Sequence, residues 1–175
     1  MGGGIDSSAC AHFLQTRGDE VAGIFVDYGQ LAASRERSSV EQLCARFGFP
    51  LRVCKAIPPV PFGTGELTGR NAFLLLCAVF LMRCNVGLLA IGVHAGTSYY
   101  DCSPGFVDQI SRLVAEHTDG RLQVIAPFLL WNKGEIVRYF ASTGIPAELT
   151  YSCEAGSLEP CGKCLSCLDR LALNI

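Results

Sequence analysis

Apolar and polar positions along this chain fall into two alternating patterns. Residues 21–26, Val-Ala-Gly-Ile-Phe-Val, form a short continuous apolar run. Such runs suit strands covered on both faces of a parallel sheet. Residues 51–57, 86–93 and 122–126 read as three further strands. Between them lie stretches with helical spacing. Residues 6–16 predict a helix capped by Asp6 or Ser7 and ended by Arg17-Gly18-Asp19. In residues 34–47, Val40, Leu43, Cys44 and Phe47 share one side, charges take the other, and Gly48 stops the helix. Further helices are expected from Asn71 to near Asn85, from Pro104 at a first turn to near His117, and over residues 133–142 before Gly144 and Pro146. The apolar run 72–82 predicts a buried helix, since spanning a bilayer takes ~20 residues. Residues 58–69, rich in Pro and Gly, read as a surface loop.

Strands that alternate with helices imply an α/β fold, a parallel sheet with helices on both faces. Ligands then sit outside the carboxyl ends of the strands. The glycine-rich start, residues 27–30, 94–103 and 127–133 all lie at such positions and are expected to converge there.

Composition narrows the reading. Half of the 175 residues are apolar and 17% are charged, which excludes a disordered chain. A net charge of −2 provides no general basic field, so nucleic acid is a poor default partner. Ten cysteines, most of them scattered through apolar segments, read as buried thiols plus one metal site in a reducing cytoplasm. A glycine loop occupies the start in place of a signal peptide, and no membrane association is expected.

Two stretches carry candidate chemistry. Gly2-Gly3-Gly4-Ile5-Asp6-Ser7-Ser8 opens a helix. Glycines let consecutive N–H groups approach an anion, and the helix start adds positive partial charge, which together make a phosphate cradle. The Gly-Lys-Ser/Thr ending of a Walker loop is missing, and a plain turn is the competing reading. Cys153, Cys161, Cys164 and Cys167 have the spacing of a metal centre. Four thiolates close a tetrahedral structural zinc site, and Gly162 permits the turn between ligands. An iron–sulfur cluster and four unrelated thiols are the alternatives.

The glycine string resembles the phosphate loop of ATP-pyrophosphatase enzymes. With Asp27-Tyr28-Gly29-Gln30, Gly69-Arg70-Asn71, residues 100–106, Lys133-Gly134-Glu135 and the cysteine cluster with Arg170, in that order, the chain is similar to the 7-cyano-7-deazaguanine synthase family. The resemblance implies an ATP-pyrophosphatase-type domain over residues 1–150, with a zinc segment over 151–175 packed on it. It implies an enzyme that uses ATP and Mg²⁺ to adenylate 7-carboxy-7-deazaguanine, then ammonia to give the amide and nitrile. Homodimers are common in the family. Gly2, Gly3, Gly4 and Ser7 would hold pyrophosphate, Ser8 would belong to the ATP site, and Tyr28 and Gln30 would lie beside the nucleotide. Asp6 would hold Mg²⁺ or cap the helix. Arg70 and Lys133 would neutralise charge, or be solvated surface cations. Asn71, Tyr99, Tyr100 and Asp101 would contact the substrate, with Asp101 accepting from a guanine-like edge.

The departures are specific. Met1 stands where the family has serine after a buried strand, so a gap in the sheet is expected. Ala32 takes a histidine position, Glu36 is one place late, the segment 57–69 is short, and Gly105 replaces an acidic residue. These changes surround the substrate and predict an altered acceptor. One alternative is a synthase-like antiphage-defence enzyme that passes the activated deazaguanine to an amine of a partner protein. Others are a zinc-stabilised binding module without catalysis, and an enzyme acting on tRNA.

Overall fold

The computed structural model describes residues 1–56, 62–82 and 86–175. They fall into two compact units, one of Met1–Gly65 with Val137–Ile175, the other of Glu66–Ile136.

The first unit begins with α1 (Ile5–Thr16), β1 (Gly23–Asp27), α2 (Ala33–Phe47) and β2 (Leu51–Lys55). β1 and β2 pair in parallel, from Gly23 opposite Leu51 to Asp27 opposite Lys55. α2 packs on β1. Ala11, Phe25, Val40, Cys44 and Phe49 form the core, with Met1, Val21, Phe47 and Leu51 at its margin. A β-carbon on Gly23 would lie 2.8 Å from Cys44 Sγ, so a larger residue there would have to displace that buried side chain. The expected stop at Gly48 is met, with φ of 74° in the left-handed region. The expected cap on α1 is not. Gly4 occupies that position and no side chain caps the helix. Asp6 lies inside the first turn, and the Ser7 hydroxyl turns back to donate to Gly4 O at 3.1 Å. A flexible glycine can itself take the extended cap conformation, so the helix starts one residue early.

The second unit holds α3 (Arg70–Met82), β3 (Gly87–Ala90), α4 (Pro104–His117) and β4 (Leu122–Ile125). β3 and β4 pair in parallel, Gly87 opposite Leu122 and Ala90 opposite Ile125. α4 packs on β4 and is capped by Ser103, whose Oγ accepts from Phe106 N at 3.1 Å. Val114, Leu122, Phe128 and Ile136 are wholly buried. α3 departs from its expected burial. Asn71, Leu75 and Ala78 are buried at helical spacing, whereas Phe73, Leu76 and Phe80 are exposed, Phe80 by 84%. An all-apolar sequence covers every face of a helix, but its neighbours in this unit bury only the stripe that faces them. The expected end near Asn85, and residues 58–61 of the expected loop, lie outside the described residues.

α5 (Lys133–Ser142) carries the chain from the second unit back to the first, which closes with α6 (Leu165–Ala172). The fold is therefore α/β with parallel strands and flanking helices, the strands of the described residues forming one pair in each unit. Among the described residues, no helix is long and apolar enough to cross a membrane.

Candidate functional site

In the first unit the glycine loop is pinned from below. Gly3 has φ of +72°, and a β-carbon on it would lie 2.9 Å from both Glu36 O and Ser39 Cβ. Its carbonyl accepts from Ser39 Oγ at 2.9 Å and from Tyr151 N at 2.9 Å. The N–H groups of Gly3 and Gly4 donate to no backbone carbonyl of the described residues. The Ser8 hydroxyl donates to Gly4 O at 2.8 Å, and Ser8 is fully buried. Both predicted serines thus spend their hydroxyls on the loop itself.

The turn after β1 meets the same face of α2. Gln30 Oε1 accepts from Tyr28 N at 2.9 Å, and Gln30 Nε2 donates to Glu36 Oε2 at 2.7 Å. Gln30 shapes the turn, and Tyr28 sets its ring edge-on to Phe62 at 5.8 Å. Within this unit the first two predicted loops do converge, joined by Glu36 and Ser39.

In the second unit, Asp101 and Asn71 clamp each other. Asn71 N, in the first turn of α3, donates to Asp101 Oδ2 at 3.1 Å. Asn71 Nδ2 donates to Asp101 O at 3.0 Å. Both residues are buried. A distant carboxylate thus satisfies one of the orphan N–H groups of a helix start, next to Arg70. Cys102 is buried beside them, and burial, with the Asp101 charge, pushes its thiol pKa up. That makes it a poor nucleophile. Tyr99 is half-buried, and Tyr100 is 59% exposed with its hydroxyl donating to Gln109 Oε1 at 2.8 Å. Lys133 opens α5 behind a reciprocal cap: Glu135 N donates to Asn132 Oδ1 at 3.0 Å, and Asn132 N to Glu135 Oε2 at 2.7 Å. The loop after β3 reaches this point, with Ala95 N donating to Trp131 O at 3.1 Å. The second pair of predicted loops converges too.

The four cysteines come together. Their sulfurs all lie within 4.8 Å of one another, and Cys161 Sγ is 3.9 Å from Cys167 Sγ. Four thiolates ~2.3 Å from one tetrahedral zinc would stand roughly 3.8 Å apart, so the set fits zinc. Sulfurs on separate irons of a cluster stand further apart, which argues against the iron–sulfur alternative. Backbone N–H groups face the sulfurs: Cys161 N on Cys153 Sγ at 3.4 Å, and Cys164 N on Cys161 Sγ at 3.4 Å. For Cys153, burial raises the thiol pKa, but the N–H groups of Cys161 and Ala155 and the Ser157 hydroxyl bring it down to about 6. The N–H groups of Lys163 and Cys164 lower Cys161, while burial pushes Cys167 up to about 12. Bound zinc would be structural, since four sulfurs leave no place for water.

The metal segment also braces the glycine loop. Tyr151, two residues before Cys153, supplies the N–H to Gly3 O. Gly156 lies so close to the chain after Gln30 that a β-carbon on it would fall 2.1 Å from Leu31 O. Glu154 Oε2 accepts from Gly65 N at 2.9 Å, and Arg170 Nη1 donates to Thr150 Oγ1 at 3.0 Å. Ser39 was not among the residues expected to serve the site. Its signal is present in the sequence as a hydroxyl on the buried side of α2, next to Val40.

These features fit an α/β protein of the ATP-pyrophosphatase type with a four-cysteine cluster able to hold a metal. A family profile described as queuosine biosynthesis protein QueC matches residues 1–58 and 64–173. The chain belongs to that family. Proteins named 7-cyano-7-deazaguanine synthase are similar over nearly its whole length. One from Campylobacter jejuni is 28% identical, covering 98% of this chain and 89% of its own. One from Methanoregula boonei is 31% identical over 98% and 90%, and one from Koribacter versatilis 30% over 98% and 85%. The Campylobacter alignment runs to 204 positions, so at least 29 of them have no counterpart among the 175 residues here. Residues 59–63 fall outside the family match, within the segment expected to be short.

Proposed function

We propose that this protein activates 7-carboxy-7-deazaguanine with ATP and converts it with ammonia to 7-cyano-7-deazaguanine. One observation carries the reading beyond family membership. The Gly3 carbonyl is held by two donors, Ser39 Oγ on α2 and Tyr151 N, and a planar trans peptide sends the following N–H the opposite way. That is the arrangement a phosphate chain needs from a glycine loop.

In this mechanism Gly2, Gly3 and Gly4 and the first turn of α1 offer backbone N–H groups to the departing pyrophosphate. Asp6, in that turn, would hold Mg²⁺, whose charge offsets that of the phosphates when bound. Tyr28 lies beside the nucleotide. The carboxylate attacks the α-phosphorus of ATP and pyrophosphate leaves. Ammonia displaces AMP from the acyl adenylate to give the amide, and a second ATP activates the amide oxygen for loss as AMP, leaving the nitrile. Arg70 and Lys133 neutralise the charge that builds on phosphate and carboxylate oxygens. Asp101 and Asn71 are bonded to each other at the start of α3, next to Arg70, which supports a positioning role for them more than direct contact with a purine edge. Zinc would hold the segment that braces the loop and takes no part in the chemistry.

The test is to incubate metal-replete protein with ATP, Mg²⁺ and the acid, with and without ammonia, and to identify products by mass spectrometry. Nitrile formed only with ammonia is expected. AMP release with neither amide nor nitrile would overturn the reading.

A second reading rests on the positions absent relative to the Campylobacter protein and on the unmatched residues 59–63. A shortened enzyme of this family could pass the activated acid to an amine of a partner protein. A covalent mass increase on such a protein, with no free nitrile, would favour it.

A further inference from the structure

The residue that sets the glycine loop lies outside it. We infer that Ser39 is a positioning residue, whose hydroxyl fixes the Gly3–Gly4 peptide so that its N–H faces the phosphates. This rests on the ATP reading above.

Ser39 lies on the buried side of α2 and is only 5% exposed. Its Oγ is 2.9 Å from Gly3 O and within hydrogen-bond distance of Leu149 O as well. A hydroxyl has a single proton, so it serves the two carbonyls in turn or shares the proton between them. Tyr151 N completes the grip on Gly3 O at 2.9 Å. Ser39 thus joins three parts of the first unit: helix α2, the glycine loop, and the strap that leads to Cys153. With both donors in place, the Gly3 carbonyl cannot swing outward. Were it to do so, its oxygen would point into the space meant for an anion, and the Gly4 N–H would turn inward. A flipped peptide would replace attraction by repulsion at the point of phosphate contact. Gly3, with its positive φ and no room for a β-carbon against α2, is the residue whose peptide such a flip would involve.

The experiment compares wild type, Ser39→Ala and Ser39→Cys, all loaded with zinc. Three readouts are taken: Mg·ATP affinity by calorimetry, affinity for 7-carboxy-7-deazaguanine, and amide hydrogen exchange of the peptide covering the glycine loop. Ser39→Ala should weaken ATP binding about fivefold, the worth of one neutral hydrogen bond. It should speed exchange in the glycine loop and leave zinc content and acid affinity unchanged. Ser39→Cys, nearly isosteric but a weak donor, should fall between. Unchanged ATP affinity and loop exchange in Ser39→Ala would overturn the assignment. So would equal losses of ATP, acid and zinc binding, which mark a general structural role. Should Ser39→Ala fail to fold, Ser39→Cys decides by the same criteria. Wild-type protein that ignores ATP would refute the nucleotide reading, whereas the exchange comparison still decides whether Ser39 orders the loop.

Discussion

The three glycines at the start of the chain are equivalent as letters and unequal in the fold, and alanine substitutions should separate them. Gly3 has φ of +72°, whereas Gly2 has no such requirement and nothing within 4 Å of where a β-carbon would stand. A left-handed conformation costs an L-residue about 1–2 kcal/mol. In Gly3→Ala the new methyl also meets Glu36 O and Ser39 Cβ at 2.9 Å. Both belong to a packed helix and cannot rotate away, so the loop must shift. Stiffening of the unfolded chain offsets roughly 0.4–1 kcal/mol. The net loss is about 2 kcal/mol, which lowers the Tm by roughly 4–8 °C in a chain of this size. Gly2→Ala should change stability by less than ~0.5 kcal/mol. The displaced Gly3–Gly4 peptide should also cost one hydrogen bond to a charged phosphate, on the order of tenfold in ATP affinity. Thermal melting and calorimetry on the two variants measure both effects. Equal Tm values for Gly2→Ala and Gly3→Ala would refute the reasoning. So would a Gly3→Ala protein that is destabilised yet binds ATP as tightly as wild type.

Asp101→Ala leaves the buried Asn71 N–H without its acceptor and should cost about 1–3 kcal/mol by chemical denaturation. Asn71→Ala keeps its own N–H but removes the second bond, Nδ2 to the Asp101 carbonyl, so it should bring a loss of similar size, and wild-type stability for this variant would count against the clamp. Gly156→Ala cannot keep its place 2.1 Å from Leu31 O, so the strap must move. A lower Tm and faster loss of zinc to a chelator are expected, and wild-type values for both would count against the brace. One zinc per chain is expected by elemental analysis. Its uptake should release protons, because the Cys167 thiol is held up to about 12 and must ionise on binding. Since the Cys153 thiol titrates at about 6, zinc affinity should fall with acidification and most steeply below that value. A chelator competition that is flat from about pH 8 to about pH 5 would contradict this.

Periodicity alone determined which stretches become strands and helices, because burial of one face repeats locally along the chain. That is why α2, α4 and α5 stand within a residue of expectation and Gly48 and Pro104 sit at the ends assigned to them. The cysteine spacing likewise declared its own chemistry, since ligands close in sequence reach one ion. The composition of α3 made its burial look certain, yet only the neighbours it meets could decide that Phe80 stays in solvent. Tertiary structure alone also decided which glycine is pinned, and that Asn71 and Asp101 turn their polar groups inward. Those outcomes depend on hydrogen bonds between residues far apart in the chain. No local pattern encodes such a bond, because its partner is chosen only when the elements fold against each other.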